Sequence, residues 1–120
     1  MARNHNLGAW GEALAMAYLQ ARGYSILDRR WRTAGGELDL VARSGQVVVF
    51  VEVKTRGGRA LAPAEDWVGP RQRQVLRRTA RAWLAANDGA GGAVCRFDVI
   101  GVTLDEDGCG FRLRHLDAAF

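Results

Sequence analysis

A chain of 120 residues makes one domain, with length enough for a single core and too little for two. Its composition, 48% hydrophobic and 25% charged with two prolines, excludes a disordered or fibrous protein. The formal charge of +4 suits an anionic partner.

In chain order, Asn6 is an N-cap for a first helix from about Leu7 to Arg22, stopped by Gly23. Leu7, Trp10, Leu14, Ala17, Tyr18 and Ala21 fall on one helical face; Glu12 points elsewhere, among Ala15, Met16 and Leu19. The apolar run Leu14–Leu19, with Glu12 just before it and no long apolar core after it, is expected to be neither a leader nor a membrane span. A cytoplasmic protein is expected. Tyr24–Arg32 reads as a strand with a basic end at Arg29, Arg30 and Arg32. Ala34-Gly35-Gly36 turns into a strand Glu37–Ala42, Ser44-Gly45 is a tight turn, and Gln46–Lys54 is a long strand. Its Val47-Val48-Val49-Phe50-Val51 is apolar on both faces, the mark of a central strand covered on both sides.

The loop Thr55–Gly69, with two acids and Trp67, precedes a second helix opened by Pro70 and ending near Asn87. The core face of this helix is Val75, Leu76, Thr79, Ala82, Trp83 and Ala86. Its other face carries Arg71, Arg73, Arg77, Arg78 and Arg81 with no acid among them. Strands at Arg96–Val102 and Phe111–Leu116, joined by a turn at Asp105–Gly110, complete the order α-β-β-β-α-β-β. The fold class is mixed α/β, a mixed sheet with helices against it.

Alternation along a strand puts Glu37 with Asp39 on one face, and Phe50, Glu52 and Lys54 together on one face. With Ser44-Gly45 as a two-residue turn, Asp39 lies opposite Phe50 and Glu37 opposite Glu52. Glu37, Asp39, Glu52 and Lys54 then converge, with Asp39 diagonal to Glu52. Like charges facing each other are destabilising, and a buried carboxylate needs a partner. A hard divalent cation, Mg²⁺ or Mn²⁺, removes the difficulty by taking carboxylate oxygens, waters and a substrate phosphate. Lys54 then orients or deprotonates an attacking water and offsets developing charge. Of the 17 basic residues 16 are Arg, and Lys54 is the single lysine. A compact ammonium with an adjustable pKa differs most from a planar fork at such a site. Gly35-Gly36 leaves room for backbone or substrate near the ion. An ordinary hairpin offers a plainer account, with Glu37 solvated, Glu52 paired to Lys54 and Asp39 capping a turn. The doubly buried strand and the lone lysine favour the metal site.

Four stretches carry a resemblance: Gly11-Glu12, Gly36-Glu37-Leu38-Asp39-Leu40, Phe50-Val51-Glu52-Val53-Lys54-Thr55-Arg56 and Arg96-Phe97-Asp98-Val99. Together, in this order along almost the whole chain, they resemble the bacterial YraN-like family. That family is placed in the PD-(D/E)XK nuclease superfamily, near the archaeal Holliday junction resolvases. The resemblance implies a restriction-endonuclease-like core and a Mg²⁺-dependent endonuclease acting on DNA, branched or junction DNA in particular. It implies Asp39 and Glu52 as metal ligands, the Val53 carbonyl as a third, Lys54 as catalytic lysine and Glu12 as the acid added by the first helix. Glu37 matches the motif as a supporting acid. Such families often begin the second helix with lysine, where this chain has Arg71-Gln72-Arg73, so the residue completing the site from that side stays open. Junction-cutting relatives act as homodimers because two strands are cut symmetrically.

Arg56 and Arg59 follow the catalytic strand directly and, with Arg71 and Arg73, are the candidate nucleic-acid contacts. For the helix arginines a solvated face is an equal alternative. The loop Thr55–Gly69 is either a lid that orders on substrate or a plain surface loop. Cys95 and Cys109 lack any zinc or disulfide spacing, and His5 and His115 lack ligand-like companions. Trp10, Trp31, Trp83 and Tyr18 read as core residues. Neither a membrane nor a small-molecule cofactor is expected. Two rival readings stay open: a non-catalytic nucleic-acid binder with the same fold, and a protein-interaction module whose acids are structural.

Overall fold

The computed structural model describes residues 3–57, 67–87, 94–105 and 107–120, with backbone alone for 3–6. Strand β3 (Val47–Arg56) organises it. Val48 and Phe50 enter one core while Val49 and Val51 enter another, as a strand apolar on both faces requires. Around it the chain runs α1 (Arg3–Ala21), β1 (Ser25–Thr33), β2 (Gly36–Ser44), β3, α2 (Pro70–Ala86), β4 (Val94–Leu104) and β5 (Phe111–Leu116). This is the expected α-β-β-β-α-β-β order. The five strands lie β1-β2-β3-β4-β5, with β3 and β4 parallel and the other neighbours antiparallel. A parallel step needs a crossover, and α2 lies between these two strands in the chain. Leu76, Ala80 and Trp83 of α2 pack on Leu38, Val41, Val48, Phe50 and Val99. Ala15 and Leu19 of α1 pack on Leu40, Val49, Val51, Ile100 and Val102. The helices therefore cover opposite faces. No helix among the described residues is long and apolar enough to cross a membrane.

Two expectations are corrected. The buried stripe of α1 runs through Gly11, Ala15 and Leu19, whereas Ala17 and Ala21 are exposed. Close approach decides this: a Cβ on Gly11 would stand 2.0 Å from Thr55 Oγ1, so the smallest residues meet the sheet. Trp10 moves to the rim, edge-on to Phe111 at 5.5 Å. Glu12, next to Gly11, is thereby carried to the border of the interface. The hairpin turn is Gly45-Gln46, not Ser44-Gly45, with Gly45 at φ 59°. Ser44 pairs with Val47 and Leu40 with Val51, so every partner is offset by two residues from the expected register. Asp39 comes one step past the last pair, level with Glu52 instead of Phe50.

A buried charge cluster fastens α1 to the far strands. Asp98, 0% exposed, accepts Arg96 Nε at 2.8 Å and Nη2 at 2.9 Å, and the Ala118 N–H at 3.0 Å. His115 Nε2 lies 2.7 Å from Asp98 Oδ2, and the Tyr18 hydroxyl 3.0 Å from His115 Nδ1. Both ring nitrogens of His115 therefore have a partner, Asp98 on one side and Tyr18 on the other. Arg96 also donates to the Tyr24 hydroxyl at 2.8 Å. His115, without companions in the sequence, is thus the link from β5 to α1. Burial works to raise the Asp98 pKa, but the hydrogen bonds from His115, Arg96 and the Ala118 N–H outweigh it and hold the carboxyl below its ordinary range. Such a group stabilises the fold above the unfolded pKa of about 3.9 and ceases to as pH falls through the lower folded value. Asp98→Asn is expected to cost about 3 kcal/mol at pH 7, read from the urea midpoint, because it leaves Arg96 without its counter-charge. The deficit should shrink as pH is lowered towards the folded pKa, where the wild-type carboxylate is lost as well.

Candidate metal centre

Beyond Leu40 and Val51 the ladder between β2 and β3 ends. Asp39 fills the fork, its Oδ2 accepting the Val53 N–H at 2.9 Å in place of a strand carbonyl. Strict alternation would put Leu38 and Leu40 on one face. Instead Leu38 and Val41 share the α2-side core while Leu40 enters the other, so the facing flips once around Asp39. The same flip occurs across the sheet in β1. Arg29 pairs with Leu40 and Trp31 with Leu38, while Arg30 between them takes φ 50° and drops out of the ladder.

This fork is the wall of a cavity of about 360 Å³ lined by Glu12, Asp39, Glu52, Val53 and Lys54, with Leu7 and Gly8 of α1 opposite. The five sequence-predicted ligand and catalytic residues are therefore brought together. Glu37 is not. The flip sends it outside the cavity, where it pairs with Arg32 at 3.2 Å on the surface, correcting the expected convergence. Gly36 has a different task from the one expected, since a Cβ there would meet Thr79 Oγ1 at 2.4 Å and keep α2 off the sheet.

Within the cavity, Glu52 is 8% exposed and lies 3.3 Å from Lys54 Nζ. Gln72, in the first turn of α2, joins them: its Nε2 donates to Glu52 Oε2 at 2.7 Å and its Oε1 accepts from Lys54 Nζ at 3.4 Å. It completes the site from the side left open by the sequence, where its position between two arginines was the sole hint. Burial first, and the neighbouring Glu52 charge second, push the Asp39 carboxyl up to about 8. The Val53 N–H opposes that shift, and Glu12 adds to it. Glu12 is held by Arg30, Nε to Oε1 at 2.8 Å, a partner the sequence did not reveal. Among the described residues no three Asp, Glu, His or Cys side chains stand gathered round one point. The donors present are two adjacent carboxyls, a third on Arg30 and the Val53 carbonyl. These hard oxygens, short of counter-charge at Asp39, fit a hard divalent cation such as Mg²⁺ or Mn²⁺.

Of the candidate phosphate contacts, Arg56 and Arg71 are exposed. Arg73 is half-buried, donating to the Val68 carbonyl at 2.8 Å and lying over the Phe120 ring, so part of its guanidinium is engaged in packing. Arg59 and the span 58–66 of the expected loop lie outside the described residues.

The family model described as "Uncharacterised protein family UPF0102" matches residues 11–102. The chain belongs to this family. UPF0102 relatives include a protein of Maricaulis maris, 50% identical over 93 residues, which covers 78% of this chain and 72% of the relative. One from Nitratidesulfovibrio vulgaris is 44% identical over 116 residues, 97% of this chain and 84% of the relative. One from Frankia alni is 46% identical over 114 residues, 95% and 93% of the two chains. The UPF0102 segment contains Glu12, Arg30, Asp39, Glu52, Lys54 and Gln72, and stops short of β5 and His115.

The raised Asp39 pKa has a consequence for stability. A carboxyl that holds its proton to about 8 when folded, and to about 3.9 when unfolded, stabilises the chain below the unfolded value. That contribution is lost as pH rises through the folded one. Asp39→Asn, which keeps an acceptor for the Val53 N–H, should melt a few degrees above wild type at pH 9 in EDTA. The gap should close towards pH 5 in thermal melts.

Proposed function

We propose that this UPF0102 protein is a metal-dependent nuclease that hydrolyses DNA phosphodiester bonds, with branched DNA as its substrate class. The observation that carries the reading is the pairing of Asp39 with Glu52 in one cavity, with the chain's single lysine 3.3 Å from Glu52. Asp39, its carboxyl pushed up by burial and by the neighbouring Glu52 charge, gains from a bound cation. Asp39, Glu52 and the Val53 carbonyl would hold a Mg²⁺ or Mn²⁺, with Glu12 of α1 at the same cavity. When bound, the ion polarises a phosphate oxygen and lowers the pKa of a water. Lys54, 3.3 Å from Glu52, would offset charge developing on a phosphate in the cavity. Gln72 keeps both ends of the Glu52–Lys54 pair in place, so the ammonium is aimed before substrate arrives. Exposed Arg56 and Arg71 take up flanking phosphates. The YraN-like resemblance supports the branched substrate and, because two strands must be cut, a homodimer as the acting form.

Mg²⁺ or Mn²⁺ should raise the melting temperature of wild type, and Asp39→Asn should abolish the rise. On a panel of duplex, single-stranded, flap and four-way DNA, Lys54→Ala should lower cleavage by about a hundredfold or more. Robust cleavage by an Asp39→Asn/Glu52→Gln protein would overturn the site. DNA binding that survives EDTA with no cut on any substrate would point to a non-catalytic binder. Absence of both metal and nucleic-acid binding would leave the interaction-module reading.

A further inference from the structure

Arg30 is out of place in an ordinary strand. Among the described non-glycine residues only Arg30 and Ala118 have a positive φ, 50° and 51°. Arginine lacks the short polar side chain that eases asparagine into this region. Its neighbours Arg29 and Trp31 keep their partners Leu40 and Leu38, so the departure is confined to Arg30 and to Asp39 across from it. Backbone strain of this kind persists where the surroundings impose it, and it collects at working sites.

The side chain shows where the departure leads. Arg30 Nε donates to Glu12 Oε1 at 2.8 Å, and Glu12 lines the cavity with Asp39 and Glu52. Glu12 is the nearest of the acids around the guanidinium, and Glu37 and Asp39 add their fields beyond it. The Arg30 side chain is 52% exposed, and an ion pair that wet contributes little to folding stability. Stability alone is a poor reason for a strained residue aimed at an acid of the pocket. Two cations thus hold two of its three carboxylates: Lys54 from within on Glu52, and Arg30 from the rim on Glu12.

We propose that Arg30 is the resident counter-cation of this pocket: it occupies Glu12 Oε1 while no divalent ion is bound, and an ion that needs this oxygen has to displace it. The inference rests on the reading of the pocket as a metal site. An ion that takes Glu12 Oε1, alone or together with Oε2, meets the guanidinium nitrogen already there at 2.8 Å. Ion affinity is then reduced by the fraction of molecules in which Glu12 is engaged. Arg30 acts as a positioning residue for Glu12 and sets the ion concentration at which the pocket fills.

The test is calorimetric titration of Mn²⁺ into the full chain after removal of metal by chelator. Arg30→Asn is the informative variant, because asparagine tolerates the left-handed backbone and removes the guanidinium. Arg32→Gln is the control, taking the same charge from the same strand while leaving the Glu12 pair intact. We expect Arg30→Asn to bind Mn²⁺ about three- to tenfold more tightly than wild type. Arg32→Gln should stay within about twofold, and the Arg30→Asn gain should vanish in a Glu12→Gln background. Unchanged or weaker binding by Arg30→Asn, or a gain no larger than that of Arg32→Gln, overturns the inference and leaves the metal site standing. No Mn²⁺ binding by wild type or by Arg30→Asn overturns the metal site itself, and this inference with it.

Discussion

Past Leu40 and Val51 the backbone of β2 stops pairing with β3, and the Asp39 carboxylate takes the Val53 N–H at 2.9 Å in its stead. Much of the pocket depends on this parting. A ladder continued by one more pair would occupy the Val53 N–H with a carbonyl and leave Asp39 on a face of the sheet, not in its plane. The opening sets Asp39 beside Glu52 at the end of a strand whose other residues are packed on both sides. It also exposes the Val53 peptide to the cavity that α1 closes with Glu12.

Two aspartates in the same sheet show what this position does to an acid. Asp98 is the more deeply buried, yet a guanidinium, an imidazole and a peptide N–H meet its oxygens and lower its pKa. Asp39 has one peptide N–H and a second carboxyl for company, and its pKa rises to about 8. Burial pushes both in the same direction; the neighbours decide the outcome. Asp98 is finished as part of the fold. Asp39 is left short of positive charge.

Element order and the doubly buried β3 were legible from periodicity, and β5 falls on the residues expected, Phe111–Leu116. Register was not. Ser44-Gly45 and Gly45-Gln46 both offer a glycine for the turn, and β3, apolar on both faces, has no preferred face by which to reject the wrong pairing. The buried face of α1 follows closeness and not bulk, because Gly11 lies against Thr55. Glu37 seemed to belong with Asp39 because nothing in Glu37-Leu38-Asp39-Leu40 signals the flip that separates them. That Asp39, Glu52 and Lys54 share one cavity was legible from the strand pattern, and Glu12 joined them through the family resemblance. Gln72, Arg30 and His115 were not, since each gains its role from a partner at least 17 residues away in the chain.

The disturbance at Arg30 has another side. An open sheet has two rims, and β1 is one of them. A straight outer strand presents a row of free amides and carbonyls on which a second molecule can build, the usual start of strand-to-strand aggregation. Here the register of β1 shifts between Ile26 and Asp28, and three residues on the backbone turns left-handed at Arg30. A strand broken twice within five residues is a poor template for an incoming chain. The irregularity that points a guanidinium at Glu12 thus also protects solubility, so smoothing β1 into a regular strand would be expected to make the protein stickier as well as to alter its pocket.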